Sequence, residues 1–262
     1  MFQLRVKIVV NKKAKGNYFH CVFNAPQIAK EARPGQFVNI RVSAALDPLL
    51  RRPISIHAAS GPKIEILYKV VGKSTQILSE KKPGDYLDIL GPSGNGFEYE
   101  EPGAKNQKPI LVGGGMGVAP LMFLAKAFKG NKPLVLIGAK AKDHIYCENE
   151  FKKLGCEVKI STDDGSKGFN GKVTDLLKKV LPLAMSNKPL VIYACGPRPM
   201  LKEIARISKE KGIPAQISLE EHMACGIGAC LGCVADTIDG YKRVCKDGPV
   251  FDAGKIIFRE AG

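Results

Sequence analysis

No apolar run in the 262-residue sequence approaches the roughly 18 residues of a membrane-spanning helix, so no helical span is expected. The opening MFQLRVKIVV lacks a basic stretch, an apolar core and a small-residue cleavage site in succession. That absence argues against a secretory leader and for a reduced, cytoplasmic setting in which disulfides are rare. Internal repeats and low-complexity tracts are also missing. Arginine is scarce: 31 of the 40 basic residues are lysine, scattered along the chain, with no aromatic-basic stripe or nucleic-acid motif among them. The formal net charge of +15 therefore reads as a lysine-coated surface suited to anionic cofactors or an acidic partner subunit, and not as a nucleic-acid interface.

Against these absences one feature stands out. Cys225, Cys230, Cys233 and Cys245 form a C-x4-C-x2-C-x11-C array among Gly226, Gly228 and Gly232, half of the chain's eight cysteines. The first three have the spacing of a plant-type [2Fe-2S] loop, in which thiolates hold the irons and glycines let backbone N–H groups approach the sulfurs. Structural zinc sites show paired C-x2-4-C knuckles, which this array lacks, although a zinc-stabilised binding protein remains the rival from another class. A one-electron centre calls for an electron source elsewhere in the chain. Cys21, Cys147 and Cys156 have no ligand spacing and read as structural thiols.

The first hundred residues alternate with period two. Ile64, Ile66, Tyr68 and Val70 interleave with Lys63, Glu65, Leu67 and Lys69, and Val38, Ile40 and Val42 with Asn39 and Arg41, which predicts half-buried strands. Turn signals at Pro34-Gly35, Gly61-Pro62, Pro83-Gly84 and Gly91-Pro92 predict about six strands in a closed antiparallel barrel, with a short helix over 74–80. Within it, Arg52-Pro53-Ile54-Ser55 puts a guanidinium and a hydroxyl on one strand, suited to a pyrophosphate and a flavin edge. Gly72-Lys73-Ser74-Thr75 opens the helix, where N–H groups and hydroxyls favour an anion or cap the helix end.

From Pro109 the pattern becomes strand and helix in alternation, with strands over 110–112, 134–139, 157–162 and 190–194, the signature of a doubly wound parallel sheet. The first strand runs into Gly113-Gly114-Gly115-Met116-Gly117-Val118-Ala119-Pro120, and a helix is expected over 121–129 with Pro120 near its first position. Gly115 and Gly117 are the candidates for close backbone approach to the phosphates of a dinucleotide. The turn is not G-x-G-x-x-G, and Ala139-Lys140 replaces the acidic residue that commonly ends the second strand, so NAD and NADP are not distinguished. Cys195-Gly196-Pro197 ends the fourth strand at the ligand-binding edge, making Cys195 and Gly196 candidates beside the nicotinamide. Thr162-Asp163-Asp164-Gly165 is either a ribose contact or a polar turn.

The R-P-x-S strand, the G-G-G-x-G-x-A-P turn and the C-G-P strand end together resemble the ferredoxin-NADP reductase superfamily over roughly the first 215 residues. With Glu221 to Cys230 and Val244 to Phe251 added, the whole chain resembles the electron-transfer subunits of NAD-linked (type B) dihydroorotate dehydrogenase. The resemblance implies an FAD-binding β-barrel over 1–103, an NAD-binding α/β domain over 104–215 and a [2Fe-2S] domain over 216–262. It places FAD contacts on Arg52, Pro53, Ile54, Ser55, Leu67, Tyr68, Lys69, Ser74 and Thr75, with Ser55 and Tyr68 tuning or covering the flavin, and cluster ligands on the four cysteines of the array. It implies electron flow from the FMN of a separate catalytic subunit to NAD+ in pyrimidine biosynthesis, within a heterotetramer, and no side chain acting as acid or base. Related ferredoxin-NADP transhydrogenase subunits are expected to carry aspartate where Cys225 stands. A reductase subunit serving ferredoxin or a sulfur compound is the alternative of the same build. Ser74 departs from the glycine often found there in relatives, and His222 is left outside the site as a structural residue.

Overall fold

The computed structural model describes residues 1–99, 107–128, 130–184 and 189–259. Six strands, β1 (Phe2–Lys15), β2 (Tyr18–Asn24), β3 (Phe37–Arg41), β4 (Arg52–Ser60), β5 (Lys63–Lys69) and β6 (Tyr86–Ser93), close a barrel in the order β1-β2-β5-β4-β3-β6. Every neighbouring pair in it is antiparallel. Helices α1 (Pro26–Glu31) and α2 (Lys73–Glu80) lie in its connections, α2 one residue longer than the expected helix. The barrel core is made by the inward members of the alternation, among them Val38, Ile40, Ile64, Ile66 and Tyr68.

Two expectations for this region are corrected. Gly91-Pro92 is not a turn: it lies inside β6, where Gly91 pairs with Phe2. Asn39, expected on a solvent face, is only 1% exposed, because the outer face of β3 is covered by the C-terminal part of the chain.

The second unit runs β7 (Lys108–Gly114), α3 (Val118–Ala127), β8 (Leu134–Ala139), α4 (Glu148–Lys153), β9 (Glu157–Thr162), β10 (Phe169–Asn170), α5 (Val173–Ala184), β11 (Leu190–Cys195), α6 (Arg198–Lys211) and β12 (Ala215–Ser218). Helix α3 starts three residues before the expected 121, which puts Pro120 at its third residue, within the first turn where no intrahelical N–H is lost. The far end of that expected helix, Lys129, lies outside the described residues. Strand β7 shows why two helical layers form: Ile110 and Val112 pack on one face with Leu177 and Ile204 of α5 and α6, and Leu111 on the other with Leu121 and Phe151 of α3 and α4.

The remaining strands are β13 (Val234–Thr237), β14 (Gly240–Arg243) and β15 (Val250–Asp252). β13 and β14 form a hairpin, while β15 pairs antiparallel with β12 and completes a seven-stranded sheet ordered β10-β9-β8-β7-β11-β12-β15. The expected boundary after residue 103 lies outside the described residues. That after residue 215 falls within β12, whose pairing with β11 continues to Ser218. The chain winds outward from β7 to β10 and returns to β11 on the other side of β7. The carboxyl ends of β7 and β11 thus mark a topological switch point, where open α/β sheets bind ligands.

Candidate functional site

At this switch point a cleft of about 640 Å³ opens between sheet and barrel. One wall is barrel: Arg52, Pro53, Ile54 and Ser55 from β4, Leu67, Tyr68 and Lys69 from β5, and Thr75 from α2. The opposite wall is the Gly-rich turn and α3, through Met116, Ala119 and Pro120, with Cys195 from the end of β11 and Arg198 from the start of α6. A third side is the run from Ser218 to Met223, which leads directly to Cys225.

The two adjacent arginines have separate tasks. Arg51 donates to the Asp88 carboxylate at 2.7 Å and to its carbonyl at 2.9 Å, which fixes β4 against β6. Arg52 has no acidic partner among the described residues; its Nη1 donates to the carbonyls of Leu50 and Arg51, at 3.0 and 3.3 Å, and the side chain lines the cleft. The hydroxyls of α2 divide in the same way. Thr75 Oγ1 accepts from the N–H groups of Val71 and Gly72, at 2.9 and 3.2 Å, so it is committed to ordering the helix start. Ser74 does not line the cleft, but its hydroxyl is buried with no hydrogen-bond partner, an arrangement that a bound phosphate group relieves. Tyr68 is wall rather than lid: it is 3% exposed, stacked on Phe19, and its hydroxyl donates to Asn11 Oδ1 at 3.1 Å. A guanidinium without a counter-ion, an orphaned buried hydroxyl and an apolar wall together fit the phosphates and ring of FAD. Arg52→Ala is expected to weaken FAD retention about 10- to 150-fold, the equivalent of one charged hydrogen bond of about 1.5–3 kcal/mol; the flavin-to-protein absorbance ratio after gel filtration measures it.

The Gly-rich turn also has two kinds of glycine. Gly115 has φ +56° and nothing within 4 Å of where a Cβ would stand, so its backbone is open to a ligand. Gly117 is closed: a Cβ there would lie 1.9 Å from the carbonyl oxygen of Cys195, so its role is to let the ends of β7 and β11 meet. Gly196 sits in that same junction, against Gly114. Cys195 is 2% exposed, and burial, with Glu220 beside it, pushes its thiol up, so a neutral sulfur stands at this edge. Thr162 and Asp164 form a polar turn. Thr162 Oγ1 donates to the Lys167 carbonyl at 2.9 Å, and Asp164 Oδ1 accepts from the Ser166 hydroxyl at 2.6 Å.

The four cysteines of the array come together as two pairs. The Cys230 N–H donates to Cys225 Sγ at 3.4 Å, and the Cys245 N–H to Cys233 Sγ at 3.4 Å. Partial burial opposes ionisation of Cys225, but donors from Ile227, Cys230 and Ala229 outweigh it and hold the thiol down at about 6. Burial and the neighbouring Cys233 push Cys245 up to about 12. Arg243 clamps the loop by donating to the Gly228 carbonyl at 2.9 Å while pairing with Asp247 at 3.1 Å. Among the described residues no three His, Cys, Asp or Glu side chains are grouped to hold a single ion. Two thiol pairs, each able to serve one iron, fit a two-iron cluster. Cys21, Cys147 and Cys156 lie apart on β2, at the start of α4 and before β9.

Asn39 joins the two sites. Its Nδ2 donates to the Gly226 carbonyl at 3.3 Å, and Gly226 has φ +67° with a virtual Cβ 2.7 Å from the same amide. On β3, Asn39 pairs with Pro53 and Phe37 with Ser55, so the cluster loop rests one strand away from the flavin strand. Sequence reasoning missed Asn39, whose signal was a polar residue in a barrel strand. It also missed the Glu220 to Met223 side of the cleft, whose signal was its place just before the first cysteine.

The family described as the iron-sulfur cluster binding domain of dihydroorotate dehydrogenase B matches residues 220–257, and the oxidoreductase NAD-binding domain matches 111–206. A dihydroorotate dehydrogenase B (NAD(+)) electron transfer subunit from Desulforamulus reducens is 43% identical over 250 residues, 92% of this chain and 93% of the relative. The subunit of the same name from Geobacillus kaustophilus is 44% identical over 239 residues, 88% of this chain and 90% of its own. Among solved structures, a chain of NADH-dependent reduced ferredoxin-NADP oxidoreductase superposes with a TM-score of 0.84 at 34% identity, covering 96% of this chain and 89% of that one. A Neisseria gonorrhoeae ferredoxin NADP+ reductase, solved with bound FAD and NADP, shares the fold at a TM-score of 0.66 and 16% identity, over 80% of this chain and 93% of its own. Barrel, switch-point cleft, paired cysteines and these likenesses agree: the chain belongs to the family of dihydroorotate dehydrogenase B electron transfer subunits.

Proposed function

We propose that this chain carries electrons taken from dihydroorotate, at the FMN of a separate catalytic subunit, through a [2Fe-2S] cluster and FAD to NAD+, in the synthesis of pyrimidines. The observation that carries this reading is the Asn39 contact, which sets the paired-cysteine loop one strand from the flavin cleft. When bound, the cluster moves electrons singly and FAD exchanges them in pairs with a nicotinamide.

The residues of the chain then bind, orient and tune. Arg52 holds phosphate and Ser55 meets the edge of the flavin, while the start of α2, with the unpartnered Ser74 hydroxyl behind it, turns toward the phosphate only as FAD binds. Leu67 and Tyr68 give the ring an apolar wall, and Lys69 lies at the margin of the cleft. Gly115 offers open backbone to the dinucleotide, and Cys195 presents a neutral sulfur that neither gives nor takes a proton. The N–H groups around Cys225 favour its thiolate and so tune the cluster. No side chain acts as acid or base.

The catalytic subunit docks where the cluster loop is most exposed, beside Cys230, Ile227 and Leu231, the last two 46% and 61% exposed. We infer a heterotetramer of two catalytic and two electron-transfer subunits, working in the cytoplasm. Among the described residues no helix is long and apolar enough to cross a membrane. The 34% identity to the ferredoxin-NADP oxidoreductase chain favours a second reading, a reductase of the same build serving ferredoxin. An anaerobic assay of NADH formation from dihydroorotate and NAD+ separates the two. Activity only when an FMN-containing catalytic subunit is added supports the first, and no complex with that subunit supports the second.

A further inference from the structure

A buried histidine outside the electron path ties the two walls of the cleft together. Strands β4 and β5 pair Ile56 with Ile66 and Ala58 with Glu65, which makes His57 the extra residue of a β-bulge, a device that re-aims a side chain. Ile56 and Ala59 pack into the barrel core, while His57, 8% exposed, meets α3 with its Nδ1 2.9 Å from the Ala119 carbonyl oxygen. A carbonyl only accepts, so the ring proton resides on Nδ1. His57 follows Ser55 by two residues, and Ala119 itself lines the cleft beside Pro120.

Three charged or titratable groups face the ring: Lys126 from α3, His20 from β2 and Glu65 from β5, the last two paired with each other at 2.9 Å. Burial above all pushes the imidazole down, to about 4, with Lys126 and His20 adding to it and the Ala119 bond and Glu65 opposing. The ring is therefore neutral around pH 7, and the bond to Ala119 is a neutral, water-excluded one.

We propose that His57 is a positioning residue for hydride exchange between flavin and nicotinamide, its bond to Ala119 fixing the separation of the barrel wall from the α/β wall. This rests on the assignment of the cleft to those two rings. In the exchange two electrons and one hydrogen nucleus pass together between flavin and nicotinamide, and His57 neither gains nor loses a proton. The geometric demand is severe, because a misplacement of about 1 Å costs on the order of 100-fold in rate.

The test is anaerobic stopped-flow bleaching of the flavin by NADH in the FAD- and cluster-loaded chain, with amide hydrogen exchange of residues 118–123 in the cofactor-free chain as a second readout. His57→Phe keeps a ring and removes the donor, His57→Asn puts an amide nitrogen in place of Nδ1, and His57→Gln displaces that nitrogen by one carbon. The expected result is bleaching slowed at least about 10-fold in His57→Phe and His57→Gln, with unchanged FAD and iron content. His57→Asn stays within about threefold of the parent, and exchange in the first turn of α3 rises only in the two slow variants. Parental bleaching in flavin-loaded His57→Phe, or His57→Asn no faster than His57→Gln, overturns the proposal. Should His57→Phe not fold, the contrast between His57→Asn and His57→Gln decides alone. A parent chain that NADH does not bleach overturns the functional assignment instead, and the exchange contrast still reports on the tie.

Discussion

Replacing Cys230 with Ala is expected to abolish dihydroorotate-linked NADH formation while leaving NADH oxidation by an artificial acceptor through the flavin nearly intact. Cys230 is the exposed member of the array, so its removal leaves no cavity in the core. The buried pair Cys233 and Cys245 still packs, as does Asn39 against Gly226. What is lost is one of four thiolates. Losing a group that merely supports a metal ligand costs about 10- to 100-fold in affinity or activity, so losing a ligand itself should exceed about 100-fold in the coupled reaction. Iron analysis, the cluster absorbance and the two activities measured side by side provide the check. Normal iron content in Cys230→Ala removes that residue from the ligand set.

Gly117→Ala should be among the most destabilising single substitutions in the chain. Its Cβ would stand 1.9 Å from the Cys195 carbonyl oxygen and 2.3 Å from the carbonyl carbon, and both belong to backbone at the centre of the sheet. Relief requires the ends of β7 and β11 to part, which opens the floor of the cleft. We expect a loss above about 4 kcal/mol, the range reserved for a named structural failure, against a total stability of about 5–15 kcal/mol. Gly115→Ala is the control: with open space and φ +56°, it should cost only about 1–2 kcal/mol for left-handed backbone. Denaturant unfolding of both variants measures the difference. Equal effects would show that the close approach of β7 to β11 does not depend on glycine at position 117.

The elements that read correctly from the sequence are those fixed by local pattern. Strand β8 begins and ends where its apolar run does, because both faces of a central parallel strand are buried, while β9 keeps the expected bounds with only its last three residues buried. The barrel follows from period-two alternation closed by turns. The array of cysteines carries its own chemistry, so the cluster loop needed no fold to be seen. What escaped depends on contacts between distant segments. Asn39 obeys the alternation of β3 and is buried by a loop 187 positions away. His57 occupies a bulge, and a bulge is a property of two strands read together. Ser74 and Thr75 are equivalent in sequence, and only the structure shows that one hydroxyl caps the helix while its neighbour is left without a partner.

The cysteine loop and the cleft should form one electron path ending on NAD+. The most direct test is to reduce the isolated holo chain with stoichiometric dithionite, add NAD+ anaerobically, and follow the cluster by electron paramagnetic resonance and NADH by absorbance. A single path requires loss of the reduced-cluster signal with matching NADH formation in the FAD-loaded chain, and a persistent signal in the chain stripped of FAD. A signal that persists in both, or decays equally in both, contradicts it.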